Sequence, residues 1–343
     1  MHDTSAQILK FYNKKVALPS EERTEMRDRR NTNRQRLKGG LEADEKPQPY
    51  GMWSQGSYAM RTMIQDADND YDIDDGAYFR KDALVGPQGG EMSALAVRQM
   101  VCDALQDDRF TKQPEALKNC VRVYYNEGFH VDVPSYREIV EKDEWTGIET
   151  KRYELASADW KSSDPKEVTK WFKRQNKNLS PDFDDSEGQY LRVVKLLKMF
   201  ARSRPSWKGK IATGFMITKL VSDHFYPHSG RDDISLRIVM SNIEARAQKD
   251  VAHPTLTGEV ISGVDDPRLP FLREKLKENL PHLDVLDEAE CTHAEAMKAW
   301  DKVFNTDWFS EQPEPQGGER VFVGGGPTAP VQKQGGGRYG RFG

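Results

Sequence analysis

A pair of aspartates in the segment Tyr71-Asp72-Ile73-Asp74 is the first candidate for chemistry. Alternate residues of a strand share a face, so a strand here directs both carboxylates to one side while Tyr71 and Ile73 can enter a core. One such pair of carboxylates can bridge two divalent cations. Asp70 has the same parity as Asp72 and Asp74, so the pattern alone leaves open which two of the three bind metal.

A third acid, Asp132, interrupts the apolar run FHVDVP. A carboxylate is costly to bury unless it is paired or holds a cation, so a role in solvation does not explain this position. We predict that Asp132 lies on a neighbouring strand, ligates a metal ion and helps to deprotonate an attacking hydroxyl group. Three carboxylates around two ions, about 3.5 to 4 Å apart, suit nucleotidyl transfer.

A candidate phosphate cradle lies upstream, where Gly56 and Ser57 precede the segment YAMRTM. This pattern predicts a tight turn that opens a short helix. Glycine lets the backbone approach a phosphate group, and the first N–H groups of a helix are free to bind it. Each signal is weak by itself, because Gly-Ser pairs are usually plain turns and Asp-x-Asp pairs are common on surfaces. The prediction therefore depends on their combination.

The elements that must position these residues form an α+β lobe. From Pro47 to Tyr136, two strand-rich runs flank one helical pattern. Before them, a long helix is predicted from an N-cap at Ser20 to Gly39-Gly40. Its basic residues could bind nucleic acid or phosphate, but acidic residues between them balance the charge, so we favour a solvated helix surface. These basic residues are Arg23, Arg27, Arg29, Arg30, Arg34, Arg36 and Lys38.

The rest of the chain predicts a helical lobe and a tail. Beyond Ser157 the patterns are almost wholly helical, and Thr292 and Glu295 form a capping box for the last helix. After about Glu311 the chain is too rich in glycine to bury a core. The predicted units are a catalytic lobe over residues 1–157, a helical lobe over 158–310 that completes the cleft, and a flexible Gly-rich tail over 311–343.

Composition limits the function classes. With 36% hydrophobic residues, the 343-residue chain can bury a core, and its net charge of −4 argues against a protein that coats nucleic acid. No apolar run approaches the ~18 residues that span a bilayer, and the first residues lack a signal-peptide pattern, so we expect a cytoplasmic protein. The three cysteines are widely spaced and predict buried free thiols, and His224 and His228 make a poor zinc pair.

Five segments of the chain resemble the bacterial cGAS/DncV-like nucleotidyltransferases, the CD-NTases of CBASS antiphage systems, and especially the DncV-like group that makes cyclic GMP-AMP. These segments are MWSQGSYAMRT, YDIDDGAY, FHVDVPSY, DWKSSDPKEVTKWF and LRVVKLLKMFARSRPSW. The resemblance implies a polymerase-β-like nucleotidyltransferase lobe with a mixed sheet, a long N-terminal spine helix and a helical lobe. It also settles the register, with Asp72, Asp74 and Asp132 as catalytic ligands of two Mg²⁺ ions, for which Mn²⁺ can substitute.

The resemblance further implies a synthase that joins and cyclises ATP and GTP into a second messenger for antiphage defence. Residues expected to contact the nucleotides are Gln55, Gly56 and Ser57 at the phosphates, Ser163 and Lys198 at the donor triphosphate with Thr213 assisting, and Tyr78 and Arg122 near the acceptor. Structural roles compete with three of these: a solvated helix residue for Lys198, a helix N-cap for Ser163 and a core aromatic for Tyr78. We favour function for Lys198 and leave the other two open.

Two departures from the family keep the bases and the linkage of the product open. Thr213 stands where the family has serine, and the chain is shorter after residue 250 than the best-known members. Two other functions compete. A linear-oligonucleotide or RNA-extending nucleotidyltransferase needs a basic channel that the net charge does not favour, and an inactive RNA- or protein-sensing module has no reason to keep three acids together.

The expected partners follow from the same resemblance. They are the substrates ATP and GTP, an effector that the cyclic nucleotide activates, and a ubiquitin-transfer-like E1/E2 enzyme that joins Gly343 to targets. We expect neither a membrane nor a nucleic acid as partner.

Overall fold

An eight-stranded mixed sheet dominates one half of the protein in a computed structural model, which describes residues 1–66, 71–126 and 128–314. Its strands are β1 (Gly51–Ser54), β2 (Asp72–Arg80), β3 (Glu115–Ala116), β4 (Val121–Tyr124), β5 (His130–Val133), β6 (Ser135–Lys142), β7 (Glu149–Ala156) and β8 (Trp160–Ser162). The strand order is β3-β4-β5-β2-β6-β7-β8, and β1 pairs with β2 outside this path. The strands β9 (Val251–Ala252) and β10 (Val260–Ser262) form a small separate sheet.

Helices make up most of the other half. The helices are α1 (Ser5–Phe11), α2 (Ser20–Ala43), α3 (Gly56–Met60), α4 (Ala94–Ala104), α5 (Pro165–Leu179), α6 (Gln189–Arg202), α7 (Gly214–His224), α8 (Asp232–Ala245), α9 (Arg268–Asn279) and α10 (His293–Phe304). In the described ranges, no helix combines the length and the apolar character needed to cross a membrane.

The predicted α+β class is confirmed, and so are the predicted helices beyond Ser157. Thr292 and Glu295 form the predicted capping box at the start of α10. The short strands β8, β9 and β10 were not expected beyond Ser157, where the sequence patterns are almost wholly helical. Strands of two or three residues are too short to show a period of two.

Strand β2 lies at the centre of the sheet. Its first residues pair in parallel with β5, which places Asp74 opposite Asp132. The predicted alternation is confirmed here, because Tyr71 and Ile73 are buried while Asp72 is exposed. The later residues of β2 pair with both β1 and β6, and this part of the strand is buried on both faces. Alternation along the sequence therefore stops separating core from surface halfway along β2.

Two hydrophobic clusters form the core. One contains residues of α2, α4 and the strands β2, β4 and β5, and the other joins the helices from α5 to α10. Ile8, Phe11 and Val16 belong to the second cluster, so the first residues of the chain pack with the helical half although we assigned 1–157 to the catalytic lobe. The boundary at residue 157 stays a prediction, and the helical half draws on both ends of the described chain.

Helix α2 differs from its prediction at both ends. It begins at Ser20 with Pro19 in the N-cap position, and no side chain caps it, so the predicted N-cap at Ser20 is wrong. It also continues through Gly39-Gly40 to Ala43. A Cβ on Gly40 would lie 2.0 Å from the carbonyl oxygen of Ala104. This glycine therefore allows α2 and α4 to touch instead of ending the helix.

Two arginines of α2, Arg34 and Arg36, bind internal partners, and the predicted solvated surface is wrong for these two. Arg34 donates two hydrogen bonds of 2.6 Å to the fully buried carboxylate of Asp75. Arg36 donates to Asp107 at 2.8 Å and lies over the Phe110 ring. These guanidinium groups satisfy internal partners, which argues against a nucleic-acid-binding face at these positions.

The Arg34–Asp75 pair should be a main source of stability for α2. We expect Arg34→Met to lower the free energy of unfolding by about 3 kcal/mol, because it leaves a buried carboxylate without its cation. The matched control is Arg27→Met, since Arg27 pairs with Asp28 on the surface and should contribute no more than about 1 kcal/mol. Urea unfolding followed by tryptophan fluorescence measures both. Equal midpoints for the two variants would contradict this account of α2.

Candidate active site

Three carboxylates lie at one edge of the sheet, as the alternation predicted. Asp74 and Asp132 occupy the same rung of the parallel pair β2–β5, and Asp72 lies two residues before Asp74 on the same face. Burial raises the pKa of Asp74 to about 7, and the neighbouring charges of Asp132 and Asp72 add to that rise. The crowding of like charges makes this edge a favourable place for cations.

Arg122 currently neutralises two of these acids. It faces Asp132 across the β4–β5 pair and donates two hydrogen bonds of 2.8 Å to that carboxylate. It also lies 3.1 Å from Asp72, and its hydrogen bonds to Asp132 raise the pKa of the guanidinium. The structure thus places Arg122 at the acids, next to the position expected for an acceptor.

The three carboxylates are suitable ligands for magnesium, but the side chains around them must rearrange before they can bind one ion together. Carboxylate oxygens are the ligands that Mg²⁺ prefers. Within the described residues, however, no three histidine, cysteine or acidic side chains converge as a ready-formed metal site. The guanidinium of Arg122 bridges Asp132 and Asp72 instead. Its side chain must therefore turn aside before all three aspartates can share a cation.

The predicted turn and short helix are present directly beside Asp74. Gly56 has a φ of +61°, in the left-handed region, and begins the five-residue helix α3 together with Ser57. A Cβ on Gly56 would lie 2.2 Å from the Asp74 carboxylate. Only glycine meets both demands, so the turn can lie against the acid only with this residue.

Gln55 and Tyr78 are buried in this structure, and their expected contacts with nucleotide stay predictions. The Gln55 backbone N–H donates to Asp74 O at 2.9 Å, and its side-chain amide donates to the Tyr136 hydroxyl at 2.8 Å. Tyr78 is fully buried and stacks on Tyr136 with ring centroids 4.6 Å apart. Tyr78 is therefore a core aromatic residue in this structure. The Gln55 side chain supports the turn through its hydrogen bond to the buried Tyr136.

Lys198 is no solvated helix lysine, so that alternative is wrong. Its side chain is buried, and Nζ donates to Thr62 Oγ1 at 2.8 Å and to Thr62 O at 3.1 Å. Burial lowers the pKa of Lys198 to about 7, and the nearby cations Arg202 and Lys195 lower it further. A Cβ on Gly214 would lie 3.3 Å from Lys198 Cε. A buried ammonium group of this kind is suited to bind an anion.

Thr213 lies beside this lysine, whereas Ser163 lies elsewhere. Thr213 is exposed, directly precedes Gly214 and caps α7 by accepting from the Met216 N–H at 3.3 Å. Ser163 is not the N-cap of α5, since Asp164 has that role. The Ser163 side chain instead lies close to the Tyr136 hydroxyl, which accepts from Gln55. The structure thus places Thr213 directly before the glycine that approaches Lys198, and places Ser163 near the residues that support the turn.

Sequence reasoning missed four residues around the acids and the turn. Thr62 contacts Lys198, Tyr136 supports Gln55, His130 lies 3.5 Å from Asp72, and the Cys120 side chain lies close to Asp132. His130 could have been found, because it has the same parity as Asp132 on β5. Cys120 could not, because pairing across strands leaves no local pattern: it follows from the register that sets Arg122, two residues further on, opposite Asp132. Asp70 and Gly343 lie outside the described residues.

The fold is that of a polymerase-β-like nucleotidyltransferase. Residues 51–136 match the family model of the nucleotidyltransferase domain described as "Cyclic GMP-AMP synthase DncV-like". Residues 51–136 of the chain are therefore similar to a DncV-like nucleotidyltransferase domain.

Solved structures share the fold over most of the chain. CdnC of E. coli MS115-1, solved with ATP, is 17% identical with a TM-score of 0.67 and covers 91% of this chain and 99% of that chain. E. coli DncV with 3′-deoxy GTP is 17% identical with a TM-score of 0.66, covering 89% and 96%. The Vibrio cholerae DncV cyclic AMP-GMP synthase is 17% identical with a TM-score of 0.64, covering 84% and 92%.

The contact between Gly56 and Asp74 predicts a severe effect of one methyl group. Gly56→Ala should reduce pyrophosphate release from nucleoside triphosphates by at least about 100-fold, because the new Cβ displaces the turn or the carboxylate by more than an ångström. Gly39→Ala is the matched control, since a Cβ there meets nothing within 4 Å. Full activity in Gly56→Ala would show that the turn does not depend on this contact.

Proposed function

We propose that the protein is a cyclic dinucleotide synthase that joins and cyclises two nucleoside triphosphates, ATP and GTP to cyclic GMP-AMP, as a signal in antiphage defence. The observation that supports this most is the Asp74–Asp132 rung, with Asp72 on the same edge and the Gly56 turn against it. Such an edge has the negative charge that a two-cation nucleotidyl transfer requires.

Asp72, Asp74 and Asp132 are the residues that would hold Mg²⁺. When bound, two such ions activate the attacking hydroxyl group and neutralise the leaving pyrophosphate. The raised pKa of Asp74 agrees with this role, since a nearby cation would stabilise its charged form. Asp132 would also help to deprotonate the attacking hydroxyl group once Arg122 has released it.

The donor triphosphate would lie between the turn and α6. Ser57 follows the glycine that touches Asp74, and Thr62 joins its backbone to that serine by an N–H···O bond of 2.9 Å to Ser57 O. Lys198 Nζ donates to the same threonine, and the exposed Thr213 directly precedes Gly214, which approaches the lysine side chain. Two hydroxyl groups and one buried cation near Thr62 and Gly214 support this position for the donor triphosphate.

The reaction consists of two transfers at this one site. The 3′- or 2′-hydroxyl of one nucleotide attacks the α-phosphate of the other, and pyrophosphate leaves. Arg122 would meet the acceptor nucleotide once it has released the Asp132 carboxylate, to which it now donates two hydrogen bonds. The linear product then docks again and closes. A structure of Vibrio cholerae DncV holds a linear intermediate, 5′ pppA(3′,5′)pG, so that relative binds a molecule of this kind.

The relatives support ATP and GTP as the substrates. Solved DncV structures contain 3′-deoxy ATP in one case and 3′-deoxy GTP in another, and CdnC was solved with ATP. The replacement of serine by Thr213 leaves the linkage of the product as part of the test. Transfer of Gly343 to targets by an E1/E2-type enzyme, and an effector that reads the product, stay predictions from the family resemblance.

Incubation of the purified protein with Mg²⁺ and all four nucleoside triphosphates tests the proposal. We expect a phosphatase-resistant cyclic dinucleotide of ATP and GTP by mass spectrometry, absent from an Asp72→Ala/Asp74→Ala variant, with nuclease digestion assigning the linkages. Linear or polymeric products alone would favour an oligonucleotide-extending enzyme. No product with Mg²⁺, Mn²⁺ or added RNA would favour a sensing module.

A further inference from the structure

Thr62 connects the phosphate turn to the helical half of the protein. Its backbone N–H donates to Ser57 O at 2.9 Å. Its two oxygens accept from Lys198 Nζ, Oγ1 at 2.8 Å and the carbonyl at 3.1 Å. The residue is 1% exposed. One buried residue therefore contacts both groups that we place at the triphosphate, Ser57 through its backbone and Lys198 through its backbone and hydroxyl oxygens.

The backbone before Thr62 is shaped for this contact. Arg61 has a φ of +59°, in the left-handed region that non-glycine residues rarely adopt, and ends α3 there. The bend turns the chain back on the helix, so that the Thr62 N–H reaches Ser57 O. Met60 and Ile64, on either side, pack in the hydrophobic cluster of the helical half. A strained residue between two anchored ones indicates that the position of Thr62 is under a specific constraint.

Lys198 depends on these two acceptors. The charged groups that face it are cations of its own helix, Arg202 and Lys195, whereas the neighbouring α7 presents Gly214. Lys195 has its own partners, the Tyr12 hydroxyl at 2.9 Å and Glu187 at 3.5 Å. An ammonium group has three N–H donors, so one stays available for a phosphate oxygen after the two bonds to Thr62.

We propose that Thr62 is a positioning residue for the donor triphosphate: it holds Lys198 Nζ at a fixed place beside Ser57, so that serine and lysine reach the same phosphate chain. This inference rests on the proposed function of the site and adds a residue that acts through Lys198. It also explains how the two halves of the protein present one binding surface, since the turn belongs to the sheet half and the lysine to the helical half.

The test compares Thr62→Val, which removes the hydroxyl acceptor at nearly the same volume, with Thr62→Ser, which keeps it. Binding of a non-hydrolysable ATP analogue with Mg²⁺ is measured by calorimetry on the full chain. We expect Thr62→Val to weaken binding roughly tenfold, the range of one hydrogen bond to a charged group, and Thr62→Ser to stay within about twofold of the unchanged protein. Equal affinity of the valine and serine variants overturns the inference.

A pH series separates positioning from a general loss of stability. The triphosphate needs the protonated form of Lys198, so binding should weaken as the pH rises through its pKa. Removal of an acceptor disfavours the charged form and lowers that pKa, so the loss should begin at lower pH in Thr62→Val than in Thr62→Ser. An unchanged pH dependence in the valine variant contradicts the proposal even if its melting temperature falls.

A double-mutant cycle shows whether Thr62 acts through the lysine. In a Lys198→Met background, Thr62→Val should have no further effect on affinity, because the group that it positions is gone. Independent, additive effects overturn the inference. If Lys198→Met does not fold, the valine–serine comparison and its pH series decide alone. Failure of the unchanged protein to bind any nucleotide would count against the proposed function itself, whereas binding that ignores Thr62 counts only against this inference.

Discussion

The site depends on the parallel pairing of β2 with β5, which holds Asp74 and Asp132 in one rung. Two neighbouring carboxylates repel each other. Burial raises the pKa of Asp74 to about 7, and the charge of Asp132 adds to that rise. The surrounding contacts offset that cost. Arg122 donates hydrogen bonds to the Asp132 carboxylate and neutralises its charge. On the opposite face of β2, the Arg34–Asp75 pair connects the strand to the spine helix α2. The stability of the fold thus keeps the acidic side chains close together in spite of their mutual repulsion, and bound cations would reduce that repulsion.

The helical half contributes the opposite charge. Lys198 is buried, and the charged groups nearest to it are the cations Arg202 and Lys195. In the proposed function, the phosphates of a nucleoside triphosphate would face this lysine while the divalent cations would face the acids. Gly56 and Thr62 set the distance between them: the glycine lets the turn touch Asp74, and the threonine ties the same turn to Lys198.

Local rules predicted the parts of the site where one face of an element is buried. Buried Tyr71 and Ile73 flank exposed Asp72, so a period of two was informative. Parity could not decide the position of Tyr78, because β2 is buried on both faces there; its expected contact with nucleotide came from the family resemblance. The predicted end of α2 at Gly39-Gly40 was wrong for a related reason. Gly40 contacts α4, and a contact between distant parts of the chain leaves no local sequence pattern. Strand β7 was not predicted because its charged residues show no apolar alternation.

The most direct test of the central claim is anomalous diffraction from crystals grown with Mn²⁺ and a non-hydrolysable ATP analogue. This account predicts manganese peaks ligated by Asp72, Asp74 and Asp132, with Arg122 turned away from Asp132 and the triphosphate against Ser57. Manganese bound elsewhere at saturating metal and nucleotide, with Arg122 still bridging the acids, would contradict it.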